Sequence, residues 1–327
     1  MSGTSDRLVL RTLDGAVDLL LQDLRSLPSL HSIRQTSAIT VECAVAGSLD
    51  ELTACPLYST AAIVLPASTN GLLRGLEQSA EYGVLATLGP RIGFRVGVDH
   101  HEDRRELIVA VEQSLGWVNR PGDWDVNLTR TADGWVAQVG PLSWMRRFGR
   151  LERLPWSTTP LVAEVLVRLA KVQKDHRVLD PFCGTGTILL AVRRREPTGW
   201  IVGADHDPRA IAIAKRNTGR SAHLTQGKAE ALPLPPGSVD RIVTNLPFGK
   251  QVGSHRANRM LYPAVLSEID RVLAIDGRAV LLTEDKRLLR ESIDRQKALK
   301  VIRQRLLKYN GATPTAYVLT RTRRALR

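Results

Sequence analysis

Three short segments in the C-terminal half carry residue types that could do chemistry together. The first is Asn245-Leu246-Pro247-Phe248-Gly249, which follows an apolar run, Val239 to Thr244, that reads as a strand. An exocyclic amine on a nitrogen heterocycle is a weak nucleophile because its lone pair is delocalised into the ring. A side-chain amide oxygen and a backbone carbonyl can accept both of its N–H bonds, localise the lone pair and aim it at an electrophilic methyl group. Asn245 and the carbonyl of Leu246 supply such an acceptor pair. Pro247 restricts Leu246, and Phe248 offers a ring face for the base. A site of this kind works by positioning and electrostatics rather than through a strong general base. In isolation the same residues also describe a strand-ending turn with Phe248 in the core.

The second segment is Asp180-Pro181-Phe182-Cys183-Gly184-Thr185-Gly186-Thr187, between an apolar run (Arg177-Val178-Leu179) and a helical pattern. Glycines there allow a ligand to approach the backbone, and a helix start presents free N–H groups. Leu189 stands where a dinucleotide fingerprint has its third glycine, and no GxxxxGK[ST] loop is present, so neither NAD nor a nucleoside triphosphate is indicated. The third segment is Asp205, at the end of the next strand. An acidic residue about twenty positions past the glycines can accept from ribose hydroxyls. Asp205 could instead cap the following helix, but Asp207 is the better cap. Cys183 lies in the glycine turn and away from Asn245. It reads as a small packing residue rather than a nucleophile of the kind used in cysteine-dependent methyl transfer.

These segments need elements to hold them. From Pro160 onward helix-like and strand-like runs alternate: a helix over Leu161–Val172 with Pro160 at its start, strands at 177–179 and 200–204, and helices over Thr187–Arg194 and Pro208–Asn217. Strands at His223–Gln226 and Val239–Thr244 follow, then a helix from Tyr262 to Ala274, a strand Arg278–Thr283 and a helix Lys286–Arg295. The chain closes with strand-like runs Val301–Tyr309 and Thr315–Thr322 around Asn310-Gly311, a hairpin signal. Alternating βα units imply a parallel sheet with helices on both faces, here with one antiparallel strand added at its edge.

The N-terminal half is a mixed α+β region, expected as two subdomains. Strands are indicated at Arg7–Leu13, Ser37–Ala46, Ala61–Leu65, Gly93–Val98 and Gly134–Val139, and helices at Ala16–Leu27, from Leu49, and at Glu106–Trp117. The length fits two domains, with a boundary between Arg150 and Trp156. The formal charge of +13 favours a polyanionic partner. No apolar run approaches the roughly 20 residues of a membrane span. Three cysteines (Cys43, Cys55, Cys183) without CxxC spacing suit a reducing cytoplasm and no zinc. His100-His101 reads as a solvated turn rather than a metal site.

DPFCGTGT, GADHD and TNLPFG, followed by RANRMLYPAVLSEIDRVL, together resemble the THUMP-containing tRNA guanine-N2 methyltransferases and related ribosomal RNA enzymes. The resemblance spans about Pro160 to Thr322. It implies an α/β, Rossmann-like methyltransferase domain (151–327) behind an α+β ferredoxin-like and THUMP-like RNA-binding region (1–150). It implies S-adenosylmethionine as methyl donor and N2-methylguanosine in structured RNA, tRNA above all, as product. Asp180, Phe182, Cys183, Gly184, Thr185 and Gly186 would line the methionine end of the donor. Thr159 and Pro160 would sit beside its carboxylate, and Asp205 with His206 at its ribose. Lys228 stands where the family has an acidic residue at the adenine, so Glu230 or the backbone at Ala229 would serve there. Asn245, Leu246, Pro247 and Phe248 would form the catalytic loop, with Leu246 in place of the family's usual first proline.

In the N-terminal half, Leu8–Leu27 looks like the opening of the ferredoxin-like region and Gly93–Val139 like the THUMP domain. Arg146, Arg147 and Arg150 look like the family's RNA-facing linker, or else a solvated basic face. Trp144 and Met145 read as core. Lys250, Arg256 and Arg259 would meet substrate phosphates, and the basic tail from Arg321 reads as free chain. A cytoplasmic monomer without metal or membrane is expected. Methylation of DNA adenine or of a protein glutamine uses the same loop chemistry. An RNA-binding protein with a degenerate site, and a small-molecule methyltransferase, are the remaining alternatives.

Overall fold

The computed structural model describes residues 6–45, 49–97, 101–248 and 255–322. His100, Gly249, Lys250 and the tail from residue 323 lie outside the described residues. The chain divides into two compact units, Met1–Arg150 and Leu151–Arg327.

The first unit contains β1 (Asp6–Arg11), α1 (Val17–Leu24), β2 (Leu30–Gln35), β3 (Thr40–Val45), α2 (Asp50–Ala54), β4 (Thr60–Leu65) and α3 (Thr69–Tyr82). It continues with β5 (Gly93–Gly97), α4 (His101–Leu115), β6 (Val118–Asn119), β7 (Val126–Thr131), β8 (Gly134–Val139) and α5 (Trp144–Phe148). Its strands form one sheet in the order β2-β3-β1-β4-β8-β7-β5-β6. The two expected subdomains are therefore fused through the antiparallel β4–β8 pairing, with Ile63 opposite Ala137 and Leu65 opposite Trp135.

Sequence reading assigned no element to α3, which contains Gly71 and Gly75. Both are packing requirements. A Cβ on Gly71 would lie 2.7 Å from Pro66 Cβ, and one on Gly75 would lie 2.6 Å from Leu65 Cδ2. Ser68 caps this helix, its hydroxyl accepting from Gly71 N at 3.2 Å. Strand β2 was missed because only Leu30 of its six residues is buried, so it carries no period-two signal.

The arginines of α5 need correction. Arg147 does not face solvent for a nucleic acid. Its guanidinium donates to the carbonyls of Cys55 and Tyr58, the latter at 2.7 Å, and lies 3.7 Å over the Tyr58 ring. Arg146 donates to the Trp124 carbonyl at 2.6 Å and pairs with Asp123 and Asp125. Of the two residues read as core, Trp144 is buried but Met145 is 60% exposed.

The second unit contains α6 (Pro160–Ala170), β9 (Val178–Asp180), α7 (Thr187–Arg193), β10 (Ile201–Asp205), α8 (Pro208–Thr218), β11 (His223–Gln226) and β12 (Val239–Asn245). Then come α9 (His255–Val272), β13 (Leu273–Thr283), α10 (Lys286–Gln296), β14 (Leu299–Leu306) and β15 (Thr315–Arg321). The strand order is β11-β10-β9-β12-β13-β15-β14, and the pairings from β11 to β13 are all parallel. This is the α/β, Rossmann-like methyltransferase architecture. The single antiparallel strand, β15, is not at the edge as expected. It lies between β13 and β14 and pairs with both. Asn310 and Gly311 both have positive φ (50° and 74°), the two-residue hairpin geometry that an Asn-Gly pair favours.

Helix α9 begins at His255 rather than Tyr262, because Pro263 marks no start: it sits inside the helix. That earlier start places Asn258 and Tyr262 on one helical face. The helix packs on the sheet through Val265, Leu266 and Ile269 against a core that includes Leu179, Ile242 and Leu281.

Replacing Arg147 with alanine would strand several carbonyls of the 53–58 segment. We expect a loss of about 2–4 kcal/mol in urea unfolding of the N-terminal unit, whereas Arg150→Ala should change it by less than about 0.5 kcal/mol.

Candidate active site

Strands β9 and β12 are parallel neighbours, with Leu179 opposite Ile242. The chain therefore leaves both at the same carboxyl edge, into the glycine turn after one and the Asn245–Phe248 segment after the other. A side-chain bond joins the two exits: Thr244 Oγ1 donates to Asp180 Oδ1 at 2.7 Å.

Asp180 is 1% exposed. Its Oδ1 also accepts from Phe182 N at 3.1 Å, while its buried Oδ2 has no hydrogen-bond partner. Burial pushes this carboxyl up to about 7; the bonds from Thr244 and Phe182 oppose that rise and the nearby Asp205 adds to it. Gly184 has φ +51°, and a Cβ there would meet nothing within 4 Å, so the turn is open on that side. Gly186 also has positive φ (+83°), and a Cβ there would come to 3.0 Å from Thr218.

Cys183 is a packing residue. It is buried, its N–H donates to the Ala204 carbonyl at 2.9 Å, and its Cβ would lie 3.0 Å from a Cβ added to Gly203. Burial holds its thiol far above the ordinary value, with Asp180 and Asp205 adding to the shift. A thiolate nucleophile is therefore disfavoured. Thr185 is buried as well. Its hydroxyl pairs with Ser157 Oγ at 3.0 Å, and its carbonyl accepts from Asn217 Nδ2 at 2.8 Å.

Asp205 ties two loops together. Oδ2 accepts from Gly184 N at 2.9 Å and Oδ1 from Asp207 N at 3.0 Å. A carboxylate has roughly four acceptor sites, so capacity remains for ribose hydroxyls. Asp207 caps α8, accepting from Arg209 N at 2.8 Å. His206 is exposed, with Nδ1 3.4 Å from Asp205 Oδ1. The loop after β11 runs alongside, Gly227 N donating to the Asp205 carbonyl at 3.0 Å. There Ala229 is buried in the core, while Lys228 and Glu230 are both exposed.

Asn245 is half-buried at the end of β12. Its Nδ2 donates to Thr158 Oγ1 at 3.0 Å, and its buried Oδ1 has no partner. Leu246 is buried and anchored by its N–H to the Leu282 carbonyl at 2.9 Å. The Pro247 carbonyl accepts from Asn258 Nδ2 at 2.8 Å and from Tyr262 OH at 2.9 Å. Tyr262 also bonds Thr283 Oγ1 at 2.9 Å. Phe248 is half-buried.

Thr159 is the N-cap of α6, without a side-chain cap bond, and Pro160 is its first helical residue. Arg256 and Arg259 are exposed on α9.

Sequence reasoning missed Thr158, Asn258 and Tyr262 as loop-setting residues. The i, i+4 spacing of Asn258 and Tyr262 was the available signal, but the helix was read as starting at Tyr262, which left Asn258 outside it. A basin of about 790 Å³ lined by Arg177, Arg193, Trp200, Arg220 and His223 lies at the amino ends of the strands and contains no motif residue. Among the described residues, no group of three or more His, Cys, Asp or Glu is gathered for a metal ion. No helix among them is long and apolar enough to cross a membrane.

The edge thus offers buried acceptors without donors, among them Asp180 Oδ2, Asn245 Oδ1 and Asn258 Oδ1, beside an open glycine turn. Orphaned buried acceptors are costly unless a ligand supplies the donor.

Residues 155–313 match the family described as UPF0020, RMKL-like, methyltransferase domain. The tRNA (guanine(6)-N(2))-methyltransferase THUMP3 of Bos taurus is 32% identical over 186 residues, 51% of this chain and 37% of that protein. The tRNA (guanine(6)-N2)-methyltransferase of Thermus thermophilus is 35% identical over 189 residues, 55% of this chain and 53% of that one. The chain thus spans between about a third and half of the length of these relatives. The crystal structure of TrmN from Thermus thermophilus superposes with a TM-score of 0.75 at 26% identity, covering 97% of this chain and 99% of the other. Residues 155–313 thus form an RMKL-like methyltransferase domain.

Proposed function

We propose that the chain methylates the exocyclic N2 of a guanine in tRNA, with S-adenosylmethionine as donor. The observation that carries this reading is the unpaired, buried Oδ1 of Asn245 on the same sheet edge as the Gly184 turn and Asp180. An amide oxygen waiting for a donor suits a nucleophile that carries N–H better than a carbon nucleophile, and with a carbonyl beside it the pair matches the two N–H bonds of a planar amine. Asn245 Oδ1 and the Leu246 carbonyl take the two N–H groups, and Phe248 offers its ring to the base. The Pro247 carbonyl, already held by Asn258 and Tyr262, keeps that loop in place.

The donor's chemistry fits the residues present. Asp180 Oδ2 is a buried, partnerless acceptor suited to an ammonium, the Gly184 turn leaves backbone-close space, and Asp205 has lone pairs left for a ribose. When bound, S-adenosylmethionine supplies a methyl on a sulfonium, and the amine that receives it sheds one proton. Asn245 acts by orienting the amine and stabilising the positive charge that builds on it.

Guanine and tRNA, rather than DNA adenine or a protein glutamine, rest on what the relatives are named for. The net charge of +13 is consistent with an RNA partner. The α+β unit ahead of residue 151 is the natural part of the chain to hold that RNA. Arg256 and Arg259 are the exposed cations placed to meet phosphates, while Arg146 and Arg147 are already engaged.

Incubating bulk tRNA with labelled donor should yield N2-methylguanosine by nucleoside mass spectrometry; N6-methyladenosine would reassign the base. Asn245→Ala should slow turnover by about a hundredfold or more, as for loss of one oxyanion donor, with donor affinity nearly intact; unchanged turnover would remove Asn245 from the mechanism.

A pH dependence follows from Asp180. Its carboxyl sits at about 7 in the folded chain, above the ordinary carboxylate range. Its contribution to stability is therefore complete at low pH and is lost as pH rises through 7. A bound ammonium favours the charged form, so binding and ionisation help each other. Calorimetry with S-adenosylhomocysteine should show affinity rising about tenfold from pH 6 to pH 8, with proton release. Asp180→Asn should flatten that rise.

A further inference from the structure

We infer that Thr158 is a positioning residue that holds the Asn245 side chain by its amide nitrogen, and that the Ser157–Thr158 pair keys the catalytic loop to the cofactor turn. The inference rests on the proposed role of Asn245.

Two successive side chains of the segment entering α6 reach two different loops. Ser157 Oγ pairs with Thr185 Oγ1 in the glycine turn at 3.0 Å, and Thr158 Oγ1 accepts from Asn245 Nδ2 at 3.0 Å. The segment is itself held in a tight turn. Leu154 N donates to Ser157 Oγ at 2.9 Å, and Ser157 N donates to the Leu154 carbonyl at 3.0 Å. Pro160, the first helical residue of α6, favours extended backbone at Thr159, whose ψ is 146°.

An asparagine amide has a donor end and an acceptor end of nearly equal size. Only the acceptor end can receive an amine's N–H. With Nδ2 spent on Thr158, Oδ1 is left buried and unpaired. Turned over, the same side chain would present N–H groups to N–H groups and repel the substrate. The hydroxyl of Thr158 anchors the amide through its nitrogen. It does so from a segment that also touches the cofactor turn, so the acceptor and the space over Gly184 are set by one piece of backbone.

The test uses the full chain with bulk tRNA and labelled donor, and calorimetry with S-adenosylhomocysteine. Thr158→Val keeps the shape and removes the hydroxyl. Turnover should fall about fivefold to tenfold, the range for loss of one neutral hydrogen bond, with KM for tRNA and cofactor affinity changed less than twofold. Thr158→Ser should recover most of the loss. Ser157→Ala should weaken cofactor affinity as well as turnover, since its partner lies in the glycine turn.

Thr158→Val with wild-type turnover, while Asn245→Ala is impaired, would overturn the inference and leave the role of Asn245 standing. Loss of cofactor affinity in step with turnover in Thr158→Val, or no recovery in Thr158→Ser, would make Thr158 merely structural and overturn it too. Asn245→Ala with full turnover would instead sink the reading beneath it. If Thr158→Val does not fold, Thr158→Ala is read by the same criteria.

Discussion

Thr244 and Asp180 end two parallel strands and bond to each other across the gap between them. The organisation of the second unit depends on that contact. It locks the exits of β9 and β12 together at one edge, and it leaves the other oxygen of Asp180 buried without a donor. A carboxylate in that state is costly to ionise, which is why its proton affinity rises. A ligand bringing positive charge and N–H donors to this edge would relieve that cost. Asn245, one residue beyond Thr244, repeats the arrangement with a neutral acceptor.

Around these acceptors the second unit builds supports in layers. Asp205 pins the glycine turn to the start of α8 by two backbone bonds. Asn258 and Tyr262 hold the Pro247 carbonyl from the face of α9 turned toward the sheet. Tyr262, 1% exposed, passes that hold on to Thr283 at the end of β13. Each support comes from a different element, so the loop geometry depends on the packing of the whole domain and not on its local sequence.

The catalytic half was legible because its physics is local. Short apolar runs alternate with amphipathic helices, and the turn residues that end the strands are also the ones assigned to the candidate site. Where reading failed, the deciding contact was distant or the local signal was misleading. The helix read from Tyr262 is already under way at His255, and Asn258 lies in the turns that reading left out. The hairpin was read from Asn310-Gly311, but nothing local says that β15 enters between β13 and β14. Thr158 stands just ahead of a helix start, and its partner lies 87 positions away. In the first unit no element was read over α3, whose Gly71 and Gly75 pack against Pro66 and Leu65. The arginines of α5 looked like a nucleic-acid surface until the carbonyls of the 53–58 segment were seen to hold Arg147.

The placement of β15 has a consequence for how the domain is made. During synthesis β13 and β14 emerge first, and neither can pair with the other in the finished sheet. Each exposes a free ladder edge until residues 315–321 arrive to fill the slot between them. Unpaired strand edges are the surfaces through which nascent chains stick to one another. β14 carries Lys300, Arg303 and Arg305 among its eight residues, and Arg303 and Lys300 are exposed. Their charge guards a strand that has to wait for its neighbour.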